Sequence, residues 1–154
     1  MNSEWPACSG MPTMTSSAFQ ASAGEQGRRF AEQCNAFLSG RGWHVGGPLR
    51  LVEVGVEIDA VATSPGGDVV WFEYKGSVQG TRPGLRRTDT LKKAIANGAL
   101  LSGLELARPY IVMTSHLPER GSGDAMLQTA LRLGYLSSVV CLYDPTTHAR
   151  LDQW

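Results

Sequence analysis

Apolar residues recur along this chain at two spacings, and the switches between them outline a fold. From Glu25 to Arg41 the apolar positions Phe30, Cys34, Phe37 and Leu38 follow helical spacing, with Gly40 and Gly42 as stop signals. The other side of that helix carries Glu25, Arg28, Arg29 and Glu32. Trp43-His44-Val45 predicts a short strand before the turn Gly46-Gly47-Pro48. Leu51 to Ala62 then alternates, with Val52, Val54, Val56, Ile58 and Ala60 on one face and Glu53, Gly55, Glu57 and Asp59 on the other. Ser64 to Asp68 reads as a turn and Val69 to Lys75 as a second strand, so the two strands should form an antiparallel hairpin. Gly76 to Arg86 reads as a loop, and Thr88 or Asp89 caps a helix that runs to Ser102 through Leu91, Ile95 and Ala99. Tyr110 to Thr114 predicts a buried strand, Ser122 to Leu133 an amphipathic helix, and Val139 to Tyr143 a last strand. This order implies an α/β protein whose central mixed β-sheet is flanked by helices.

A length of 154 residues suits one domain, expected over residues 24–154. Residues 1–23 hold Pro6, Pro12 and scattered Ser and Thr without an apolar period, and read as a flexible N-terminal leader. That segment also lacks the basic start and apolar run of a targeting signal, and no stretch of the chain has the roughly 18 consecutive apolar residues of a membrane span. Cys8, Cys34 and Cys141 show no metal-ligand spacing. A reduced, cytoplasmic protein without a membrane partner is the expectation.

Fourteen Lys and Arg balance fourteen Asp and Glu, so the mean charge gives no reason to expect nucleic acid. The distribution does. Leu51 to Tyr74 carries Glu53, Glu57, Asp59, Asp68 and Glu73 without a cation, while Lys75, Arg82, Arg86, Arg87, Lys92 and Lys93 follow against Asp89 alone. Residues two apart in a strand share a face, so Glu73 and Lys75 project together, and the paired strand can bring Asp59 beside them. Glu and Lys at the end of the run Val-Val-Trp-Phe cost several kcal/mol unless they are paired or bind a metal. Two carboxylates, a backbone carbonyl and waters are ligands that suit Mg²⁺, with Mn²⁺ as a substitute, and a neighbouring Lys can orient a water and offset charge on a phosphate. An internal Lys–carboxylate bridge on an ordinary sheet is the competing explanation.

Together these residues resemble the PD-(D/E)xK nuclease superfamily, with its restriction endonuclease-like and Holliday-junction resolvase-like fold. The likeness covers most of Gly24 to Tyr143. It rests on the Glu-bearing first helix from Gly24 to Glu32, on Val56-Glu57-Ile58-Asp59, on Phe72-Glu73-Tyr74-Lys75, and on the basic helix that follows. Ile58 stands where the family motif has Pro. The resemblance implies a core of helix, three-stranded meander, helix and strand. It implies Asp59, Glu73 and the Tyr74 carbonyl as metal ligands, Lys75 as the catalytic lysine, and Glu32 as a first-helix carboxylate reaching the site, with Glu25 as second choice. Glu57 and Gln79 are accessory candidates, whereas His116 reads as a loop or capping residue. Arg86, Arg87, Lys92 and Lys93 are candidates for DNA phosphate binding. The activity expected is Mg²⁺-dependent endonucleolytic hydrolysis of DNA, by a homodimer or with a partner recognition subunit if both strands are cut. A catalytically silent nuclease-fold module that binds DNA or protein is the alternative, and a non-DNA phosphoesterase is disfavoured by the basic helix.

Overall fold

The computed structural model of the chain describes residues 16–77 and 83–154, with side chains inside the first helix described from Gly24 onward. Its α1 helix covers Ser16–Gly40 and so begins well before the expected Glu25. No proline lies between Pro12 and Pro48, so nothing in the sequence stops helical geometry from extending back into the expected leader. The strands are β1 (His44–Val45), β2 (Leu49–Leu51), β3 (Val56–Ile58), β4 (Ala60–Thr63), β5 (Val69–Lys75), β6 (Tyr110–Thr114) and β7 (Ser138–Cys141). Helix α2 (Thr88–Leu101) connects β5 to β6, and α3 (Ser122–Arg132) connects β6 to β7. A short 3-10 turn, Gly84–Arg86, precedes α2, and a longer 3-10 segment, Pro145–Gln153, ends the chain.

Five strands form a mixed sheet in the order β1-β4-β5-β6-β7, and β2 pairs only with β3. The meander β1, β4, β5 is antiparallel, while β5, β6 and β7 are parallel, as helical crossovers require. Alternation along β5 divides the interior in two. Val70 and Phe72 pack with Phe30, Cys34 and Leu38 of α1 and with Leu151 of the C-terminal segment. Trp71 packs on the other face with Leu91, Ala94 and Leu101 of α2 and Leu127 and Ala130 of α3. The result is an α/β protein with a five-stranded mixed sheet flanked by helices. Among the described residues no helix is long and apolar enough to cross a membrane.

The expected strand Leu51 to Ala62 is broken twice. Val52 to Gly55 form a turn that needs Gly55 at φ +70°, and Val52 at its tip is 83% exposed. Asp59 separates β3 from β4. The alternation is real from Val56 to Ala62, yet it feeds both cores: Val56 and Ile58 join the α2 side, whereas Ala60 and Ala62 join the α1 side. Asp59 is therefore the corner at which the chain crosses the sheet edge.

Candidate active site

The corner at Asp59 leaves a gap in the ladder. Strand β4 begins at Ala60 opposite Phe72, so β5 has lost this neighbour by the time it reaches Glu73. The Asp59 N–H donates to the Phe72 carbonyl at 3.1 Å, and its Oδ2 accepts the Tyr74 N–H at 2.7 Å. A side-chain carboxylate thus replaces the missing strand partner. The N–H and C=O of a strand residue point to the same edge, so the Tyr74 carbonyl faces the Asp59 edge, past the paired ladder.

Glu73 lies on the α2 face with only 2% of its surface exposed. Its Oε1 is 2.5 Å from Lys75 Nζ, as the shared strand face predicts. Its Oε2 accepts a hydrogen bond from the Tyr110 hydroxyl at 2.7 Å. Burial, and after it the charge of Glu73, raise the Asp59 carboxyl above its ordinary value, against the Tyr74 hydrogen bond and the Lys75 charge, which lower it. The raised Asp59 carboxyl favours a proton or a cation beside it. Burial and the same Glu73 charge push the Tyr110 phenol far up, so it remains a donor.

The other sequence candidates are placed less centrally. Glu32 is exposed on α1; it stands about 200° around the helix from both Phe30 and Cys34, which face the sheet. Glu25 is on that same outer side and pairs with Arg29 at 2.8 Å. The structure brings neither to Glu73. A polar α1 side chain that does bond to β5 is Asn35, whose Oδ1 accepts from the Tyr74 hydroxyl at 2.7 Å. Glu57 is exposed, stands opposite Arg50 across the β2–β3 ladder, and is felt at Asp59 as the smallest of the electrostatic influences. Gln79 and Arg82 lie outside the described residues.

Arg86 and Arg87 are exposed at the 3-10 turn, with Arg86 Nε 3.7 Å from Glu119. Lys92 and Lys93, adjacent in sequence, diverge on α2. Lys92 lines an apolar groove with Ile95, Met126 and Leu133 toward α3. Lys93 is exposed about 100° further around the helix. His116 bonds Ser115 through Nδ1 at 3.0 Å, as a loop histidine, and desolvation followed by the Arg86 charge lowers its pKa.

Comparison of the chain with protein-family models, with curated proteins and with solved structures returns no match. Among the described residues no group of three or more His, Cys, Asp and Glu is placed to hold a metal. A divalent ion here would rest on the carboxylates of Asp59 and Glu73, the Tyr74 carbonyl and water. These are hard oxygen donors, and Mg²⁺ commonly binds through one or two carboxylates with waters retained, so the donor set fits. Tyr110 and Asn35 went unrecognised in the sequence. The single signal for Tyr110 is a hydroxyl at the head of the apolar run Tyr-Ile-Val-Met.

Proposed function

We propose that the chain is a Mg²⁺-dependent endonuclease that hydrolyses DNA phosphodiester bonds on a restriction endonuclease-like core. The observation that carries this reading is the convergence of Asp59, Glu73 and Lys75 where β5 outruns β4, with a basic helix beginning on the same face. The order α1, meander β1-β4-β5, α2 and β6 supports it, since it is the order that the resemblance to PD-(D/E)xK nucleases implies. In this reading Asp59, Glu73 and the Tyr74 carbonyl hold Mg²⁺, which when bound supplies Lewis-acid stabilisation of charge on the scissile phosphate. Lys75 is 25% exposed at its side chain, and so can turn from Glu73 to orient the attacking water and offset phosphate charge. Arg86, Arg87 and Lys93 engage phosphates to either side, holding the duplex over the site.

One observation favours a catalytically silent binding module instead: both oxygens of Glu73 already have protein partners, Lys75 and Tyr110. Incubation with supercoiled plasmid, linear duplex, single strands and a four-way junction, each with Mg²⁺, Mn²⁺ or EDTA, separates the two. Metal-dependent nicking is expected, lost in Asp59→Ala, Glu73→Ala and Lys75→Ala while DNA affinity persists. No cleavage of any substrate, or undiminished cleavage by two of the three variants, would sink the endonuclease reading.

A further inference from the structure

We infer that Tyr110 is a positioning residue that holds the Glu73 carboxylate in one orientation. The consequence for catalysis rests on the endonuclease reading; the holding of Glu73 does not. Tyr110 belongs to the same buried cluster as Trp71, Val112 and Val139, where a Phe ring would fill the same space. The hydroxyl is the part that needs a reason. A carboxylate accepts, so the phenol gives its one proton to Glu73 Oε2 at 2.7 Å.

With Oε2 held inward, Oε1 is the oxygen presented to Lys75 and to the solvent-reaching end of the site. The carboxylate therefore meets an incoming cation with a preset oxygen and loses no rotamer freedom on binding it.

Removing a residue that orients a ligand commonly weakens metal affinity by about 10-fold to 100-fold. Tyr110→Phe in the full chain should do this to Mn²⁺, measured without DNA by electron paramagnetic resonance of the free ion. Excess Mn²⁺ should restore nicking by Tyr110→Phe, which a folding defect would not allow. Wild-type Mn²⁺ affinity in a folded Tyr110→Phe variant would overturn the metal-orienting role.

A second arm needs no metal. Urea unfolding of Tyr110→Phe, Glu73→Gln and the double variant should be non-additive, with the unfolding constant raised about 10-fold by losing the hydroxyl beside a carboxylate and much less beside the neutral amide. Additive effects would overturn the claim that Tyr110 holds Glu73. A wild-type chain that binds no Mn²⁺ through Asp59 and Glu73 would defeat the endonuclease reading, while non-additivity would still uphold this one.

Discussion

Replacing Lys75 by Met asks whether the Glu73–Lys75 pair exists for chemistry or for the fold. Glu73 is almost fully buried, with Lys75 Nζ 2.5 Å from one oxygen and the Tyr110 hydroxyl on the other. Breaking a buried pair costs about 3–5 kcal/mol, because the remaining charge stays behind without its partner. Lys75 is partly exposed and Tyr110 keeps its bond, so the lower end, about 3 kcal/mol, applies to Lys75→Met. That is about a hundredfold in the unfolding constant, and about 6–12 °C in Tm for a chain of this size. The triple variant Glu73→Leu, Lys75→Met, Tyr110→Phe removes charge, partner and hydroxyl together. Replacing a buried ionic set by apolar residues of similar volume is often neutral or stabilising by about 1–4 kcal/mol. The expected ranking is a triple variant at least as stable as wild type and Lys75→Met well below both, with neither variant nicking plasmid. Urea unfolding followed by tryptophan fluorescence reads the ranking, since the chain holds four tryptophans, Trp71 among them beside the pair on β5. A triple variant less stable than Lys75→Met would show that the polar set stabilises the fold, and the argument that it is kept for chemistry would be wrong.

Three further outcomes are expected. Lys93→Glu should weaken duplex binding and lower the salt slope by about one ion, whereas Lys92→Glu should do less because Lys92 lines the groove toward α3; equal losses in a salt titration would refute the division. Glu32→Gln and Glu25→Gln should nick at near wild-type rates, since both side chains stand on the outer side of α1; a marked loss in Glu32→Gln would mean that α1 turns on binding DNA. Asp144 is held below its ordinary carboxyl value first by the Thr146 hydroxyl and then by the Thr146 N–H, at 2.6 and 3.1 Å. A lowered acid stabilises the fold above its unfolded pKa, and the benefit goes as pH falls through the folded one. Asp144→Ala should therefore be less stable than wild type at neutral pH and converge with it in acid, and parallel pH curves in thermal melts would contradict this.

Much of the scaffold was legible because its periods are strong and its breaks are punctuated. Strands β5 and β6 have the bounds that their apolar runs predict, and α2 and α3 end within two residues of expectation. Where the reading failed, tertiary structure overrode a local pattern. Val52, Val54, Val56, Ile58 and Ala60 look like one face of one strand, but Gly55 turns the chain and Asp59 sends the two halves to opposite sides of the sheet. A period of two reports that alternate residues are buried; it does not report in which core. The last strand was expected at Val139 to Tyr143 and is instead Ser138–Cys141, because the chain turns at Asp144 into a 3-10 segment that covers the α1 face through Leu151.

The site was legible in its charges and hidden in its hydrogen bonds, and the difference follows from sequence distance. Glu73 and Lys75 announce themselves because two charges end an apolar run, and period two alone places them together. Asp59 needs only the turn that joins two neighbouring strands. Tyr110 requires the parallel register of β5 with β6, set opposite Trp71 by packing across a helical crossover, and no local pattern encodes it. The unpaired edge at Tyr74 follows from the same corner: a strand that ran straight through Asp59 would have covered that carbonyl with a backbone N–H. The break that defeated the strand prediction is thus what leaves an oxygen-rich, one-sided opening at the end of β5, and a continuous Leu51 to Ala62 strand would have closed it.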